Sequence, residues 1–184
     1  IEFSKKDRVF IEKNRGIISK YALEGFNLMS IGNSDSKKSF DSNNSSQEDE
    51  VALRFLNPKT RKRKVFYLNI RLSFVGQQSM QSIPSFINDP KYQNLEILVL
   101  SGTLITDLSE LPQLPNLRDL QLDNSQFTSF SNCLYDQPKL SSISYSKTPF
   151  EQYVEYNKEV SIIVFPSLKR INKEEISDDV INNV

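Results

Sequence analysis

The chain has no histidine and no tryptophan, and Cys133 is its only cysteine. Without histidine the ordinary Ser-His and Cys-His nucleophilic pairs cannot form, and a zinc site would have only one thiol and carboxylates to draw on. One cysteine allows no intrachain disulfide, which points away from the disulfide-stapled secreted class and towards the intracellular one. No apolar run reaches the roughly 18 residues that a membrane helix needs. Glycine is scarce, at 5 of 184 residues, and no phosphate-cradling or dinucleotide loop can be drawn through those glycines. Ile1 opens without the basic-then-apolar pattern of a secretory leader, and the absent initiator methionine fits an excised piece of a longer chain. The expectation is no catalytic residues, no metal, no cofactor, no membrane contact and no small-molecule ligand.

What is present is a period. Leu95 starts the pattern L-x-x-L-x-L-x-x-(N/T/S)-x-(I/F)-x-x-L, and Leu117 starts it again 22 residues later, with Leu120, Leu122, Ser125, Phe127 and Phe130 in register. A third copy begins at Leu140, 23 residues further on, with Ile143, Tyr145, Thr148, Phe150 and Tyr153 in the same slots. A weaker copy lies upstream at Val65, Leu68, Ile70, Ser73 and Val75. Mixed strand and turn periodicity recurring at this spacing is the signature of a solenoid, in which each copy buries its apolar side only against its neighbours.

These residues resemble the 22-residue class of leucine-rich repeat proteins. The run from Thr148 to Asp178 resembles the C-terminal cap of intracellular members, with Tyr156, Pro166, Leu168, Lys169, Ile171 and Asn172 on the cap motif. Caps of this kind occur in spliceosomal, mRNA-export, axonemal and centrosomal repeat proteins. The resemblance implies an α/β leucine-rich repeat solenoid with a parallel β-sheet on its concave face, a short array, and an N-terminal β-rich or irregular segment before it. The ninth slot, usually Asn in the family, holds Ser73, Thr103, Ser125 and Thr148, whose hydroxyls still donate and accept. Ile105, Leu108, Leu111 and Leu114, then Phe127, Phe130 and Leu134, are expected to fill the wedge behind the sheet. Cys133 is expected to be a small buried apolar residue among them.

The expected organisation is an N-terminal segment at 1–32, read either as flanking strands or as a degenerate repeat. A disordered Ser/Asn/acidic loop follows at 33–50, then a hairpin and weak first repeat at 51–94, repeats at 95–153 and the cap at 154–184. The net charge of zero hides an asymmetry. Residues 1–94 carry 16 Lys and Arg against 10 Asp and Glu, net +6, and residues 95–184 carry 7 against 13, net −6. Serines in the loop could be phosphorylated, and Asn44-Ser45-Ser46 formally matches a glycosylation acceptor.

The side chains between inward leucines should face outward from the sheet. Phe66, Tyr67, Ile97, Val99, Arg118, Asp119 and Gln121 are therefore the expected partner-binding residues, aromatic and aliphatic anchors with Arg beside them. The competing expectation is that the N-terminal segment folds over the Phe66 end and buries it. Lys59, Arg61, Lys62, Arg63 and Lys64 form a short basic run at a hairpin tip, readable as a nuclear-import signal, an anion-binding patch or a solvated turn. The function expected is a protein-interaction module in a larger intracellular scaffold or complex, in the cytoplasm, cytoskeleton or nucleus. RNA association through the basic run is the alternative, and phosphatase or GTPase regulation rests on fold analogy alone.

Overall fold

The computed structural model describes residues 2–33 and 47–184; the loop's phosphorylatable serines and its formal glycosylation match, which has no secretory context to support it, lie outside these. The chain divides into two units, one of residues 2–33 and 50–68, the other of 47–49 and 69–184.

The first unit begins with two helices, α1 (Lys5–Lys13) and α2 (Arg15–Leu23), where the sequence suggested strands or a degenerate repeat. A capping box starts α1: Ser4 Oγ accepts from Asp7 N at 3.1 Å, and the Asp7 carboxylate accepts from Ser4 N at 3.1 Å. The apolar doublets obscured a helical spacing, since Phe10, Ile17, Ile18 and Tyr21 are the helix residues that pack inward. They cover β1 (Asn27–Asn33), β2 (Gln47–Leu56) and β3 (Arg63–Ser73) around a cluster of Phe26, Leu53, Phe55 and Leu68. β1 and β2 run antiparallel, Leu28 opposite Phe55. The tip joining β2 to β3 is closed by Asn57 N to Lys62 O and Arg61 N to Asn57 O, both 2.9 Å, with Arg61 at φ 60.

In the second unit the end of β3 is followed by β4 (Ile97–Val99), β5 (Asp119–Gln121), β6 (Ser142–Ser144) and β7 (Arg170–Ile171), all parallel neighbours. Leu72, Leu98, Leu120, Ile143 and Ile171 stand side by side in register, so the period in the sequence becomes a stack in space. β8 (Glu174–Glu175) closes the far edge antiparallel to β7.

Each of the first four coils turns at one left-handed residue, Gly76, Gly102, Asn124 and Lys147, whereas Asn172 and Lys173, both left-handed, make the turn from β7 to β8. Across that corner Gly76 N donates to Ser101 O, Gly102 N to Asp123 O and Asn124 N to Ser146 O. A Cβ on Gly102 would lie 3.1 Å from Gly76 N and 3.2 Å from Gly76 Cα, so the first two corners approach too closely for a side chain there. The next slot keeps its hydroxyl within its own coil. Thr103 Oγ1 donates to Leu100 O at 2.7 Å, Ser125 Oγ to Leu122 O at 2.6 Å and Thr148 Oγ1 to Tyr145 O at 2.6 Å.

The first coil is registered four residues later than its apolar pattern suggests. Asn69, Leu72 and Phe74 occupy the inward slots instead of Val65, Leu68 and Ile70, and Gln77 takes the ninth slot instead of Ser73. Asn69 is fully buried, and its Nδ2 donates to Glu48 Oε2. Tyr92 OH donates to the other Glu48 oxygen at 2.8 Å. In the wedge, Leu134 is 72% exposed rather than buried. Cys133 takes the slot of Leu111 in that coil, and Gln137 takes that of Leu114 with no exposure: its Oε1 accepts from Leu114 N at 2.9 Å and its Nε2 donates to Pro112 O at 2.8 Å. Cys133 is half-buried against the core, and burial pushes its thiol up.

The cap consists of α3 (Pro149–Tyr153), α4 (Asn157–Val164), β7, β8 and α5 (Asp178–Asn182), with Phe165 fully buried beneath it. Phe74, Leu100 and Leu122 each donate a backbone N–H to the next coil, at Val99 O, Gln121 O and Ser144 O. At the last coil Tyr145 N donates instead to the side-chain Oδ1 of Asn172, at 2.8 Å.

Candidate protein interface

Parallel register places side chains in rows across the strands. One row, at the strand entrances, is Glu96, Arg118, Ser141 and Lys169; Arg118 N and Asp119 N both donate to Glu96 O, and the same pairing recurs from Ser141 and Ser142 to Arg118 O. The next row is Arg71, Ile97, Asp119, Ser142 and Arg170. The third holds Ser73, Val99, Gln121 and Ser144.

Among the expected partner-binding residues, Ile97, Arg118, Asp119 and Gln121 are on this face and at least partly exposed. The Arg118 side chain is 51% exposed, with Nε 4.0 Å from Glu96 Oε1. Gln121 Nε2 donates to Asp119 Oδ2 at 2.8 Å, which fixes both in the strand plane.

Val99 is a correction: it is only 1% exposed, and Ser73 and Ser144 in its row are buried as well. Gln121, in the same row, stays partly exposed. Phe66 is a second correction. It belongs to the first unit, partly buried against the apolar cluster with its ring 6.1 Å from that of Tyr21, so the competing expectation of burial by the N-terminal segment describes it better. Tyr67, also of the first unit, is 46% exposed.

Of the basic run, Lys59, Arg61, Lys62 and Arg63 are exposed around the closed tip, and Asn57 Oδ1 accepts from Lys59 N and Thr60 N at 3.0 and 3.1 Å. Lys64 is committed elsewhere. Its Nζ lies 2.7 Å from Glu24 Oε2, 4.7 Å from the Phe26 ring centre and 5.3 Å from that of Tyr21. The hydrogen bond and charge of Lys64 hold the Glu24 carboxyl below its ordinary range.

Sequence reasoning did not extend the face to Lys169 and Arg170. The step from Ile143 to Ile171 breaks the period, so the last strand reads as cap alone; the parallel pairing of Ser142 with Arg170 makes it a fifth coil. Among the described residues no group of three or more His, Cys, Asp or Glu could hold a metal ion, and no helix is long and apolar enough to cross a membrane.

The family model described as leucine-rich repeats in two copies matches residues 93–135. In the crystal structure of the Drosophila melanogaster SNF/U2A' complex, a similar chain is 19% identical with a TM-score of 0.43, over 72% of this chain and 84% of that one. No curated protein matches the chain. Residues 93–135 thus carry the leucine-rich repeat pattern, and the parallel coils stacked around them form an α/β repeat solenoid.

Proposed function

We propose that this chain docks a protein partner through the outward rows of β4 and β5, in a non-enzymatic role, as one module of a larger intracellular scaffold or complex subunit. The observation that carries the proposal is Ile97. It is an aliphatic side chain held partly in solvent on a rigid parallel strand, with the half-exposed Arg118 and its partner Glu96 on the neighbouring row. Rigid presentation keeps the ordering cost of binding low, and an apolar anchor beside an arginine is the composition that concentrates interface energy. The test is affinity capture with the intact protein and with Ile97→Asp, circular dichroism confirming that both are folded. A folded variant that loses a captured protein supports docking here, and unchanged capture refutes it. Val99 is unsuitable for this test, because a charge there would be buried.

A second reading is RNA association at the β2–β3 tip, favoured by four exposed cations within five residues and the exposed Tyr67 ring near them in sequence. A salt-titrated RNA-binding assay decides it: no association at low salt removes this reading.

A further inference from the structure

The face changes chemistry from one end to the other. At β4 it presents Glu96 and Ile97, at β5 Arg118 and Asp119, at β6 Ser141 and Ser142, and at β7 Lys169 and Arg170. Residues 95–184 carry 7 cations against 13 acidic groups, yet three of those cations stand on two short rows around a pair of partly exposed serines. The rows are tied together by backbone. Ser141 N and Ser142 N donate to Arg118 O, Lys169 N and Arg170 N donate to Ser141 O, and Ser141 Oγ also reaches Arg118 O at 3.3 Å.

The local carboxylates do not neutralise this end. Glu175 is opposite Arg170 in the β7–β8 register, but among the described residues no carboxylate lies within 4.0 Å of the charged nitrogens of Lys169 or Arg170. Glu96 pairs with Arg118 at 4.0 Å, at the far end of the face from Lys169 and Arg170, and Asp119 accepts from Gln121. The serines leave room between the cations, where larger side chains would shield them.

We infer that the partner meets this face with an acidic protein segment whose carboxylates sit over Arg118, Lys169 and Arg170 while an apolar side chain of the same segment covers Ile97. The inference rests on the docking reading and adds the chemistry and direction of the partner. Three strand intervals separate β4 from β7, about 14 Å at the usual sheet spacing, which about four extended residues span. The segment therefore crosses the strands with one carboxylate close to its apolar anchor, over Arg118, and the acidic run for Lys169 and Arg170 about four residues from that anchor. Complementary charge of this kind sets specificity and encounter rate, with the apolar contact adding affinity.

The test is fluorescence anisotropy with a labelled peptide carrying one leucine with a glutamate close to it and, about four residues on, a run of glutamates. Its controls are the same peptide with glutamines for glutamates and a uridine oligonucleotide. The proteins are wild type, Lys169→Glu/Arg170→Glu, and the milder Lys169→Gln/Arg170→Gln, each checked for folding. The acidic peptide is expected to bind with an affinity that falls as salt rises, the glutamine peptide to bind weakly, and the charge reversal to weaken the acidic peptide about tenfold or more. Equal binding of the two peptides, binding untouched by the reversal, or preference for the oligonucleotide overturns the inference. Protein capture lost with Ile97→Asp but kept with the charge reversal overturns it while leaving the docking reading intact. Capture unaffected by either variant overturns both.

Discussion

In the second unit, 25 buried apolar residues share one cluster, and most occupy a slot that recurs from coil to coil. In the first, the cluster has four buried members among the described residues, and its cover is made of unlike parts: helix residues, the rings of Tyr21 and Phe66, and the Lys64 ammonium over Phe26. Repetition means every inward leucine has neighbours on both sides that cannot relax into a vacancy. A small, heterogeneous cluster can shift to fill one. The difference shows how much of a contact's worth comes from the rigidity around it, beyond the area it buries.

The same substitution made in both places measures that difference. Leu120→Ala, between Leu98 and Ile143, should cost about 4 kcal/mol, and Leu53→Ala in the first unit about 2 kcal/mol, both read from urea unfolding. Hydrogen exchange should show the Leu53 variant loosening β1 and β2 while β4 to β6 keep their protection; equal losses, or loosening spread alike, would break the contrast. Gly102→Ala should cost about 1.5 kcal/mol, because the added methyl meets the Gly76 backbone, which has no rotamer to yield.

Tyr145→Phe should cost about 1 kcal/mol at neutral pH, since the hydroxyl donates to Asn157 Oδ1 and accepts from Ser161 Oγ, both at 3.2 Å. Burial pushes the Tyr145 phenol from 10.0 up to about 12, against the smaller opposing effect of the Ser161 bond. A raised folded value means its contribution is complete below pH 10.0 and is lost as pH rises through about 12. A stability profile across that window should fall for wild type and flatten for the phenylalanine variant. Smallest of all, Glu24→Gln should lower the melting temperature slightly at neutral pH. Because the Glu24 value is depressed, its contribution is present above the ordinary carboxylate range and fades as pH falls through the lowered one; salt should erase it too.

The repeats are legible in the sequence because inward slots demand aliphatic side chains at fixed intervals, which aligns Leu98, Leu120 and Ile143 as the strands themselves do. The first coil was misread by four residues because Asn69 sits in such a slot. A buried amide is tolerable there only because Glu48, 21 residues away in sequence, accepts from it. Gln137 escaped notice for the same reason: its partners Leu114 N and Pro112 O belong to the preceding coil. Local pattern cannot show a polar group whose satisfaction is long-range. Ile97, Arg118, Asp119 and Gln121 lie between inward leucines and are at least partly exposed, whereas Val99, in the same row as Gln121, is buried; a place between inward leucines does not by itself fix exposure.

A stack assembled by copying one rung has no inherent stopping point, and a bare terminal rung would invite a second molecule to continue it. Here the backbone ladder already stops short of the last strand, because the N–H of Tyr145 is taken by the side-chain amide oxygen of Asn172 and not by a backbone carbonyl. β8 then runs the wrong way for propagation beside β7. Fibre-like, end-to-end growth is thereby discouraged at this terminus by a single side chain and one reversed strand.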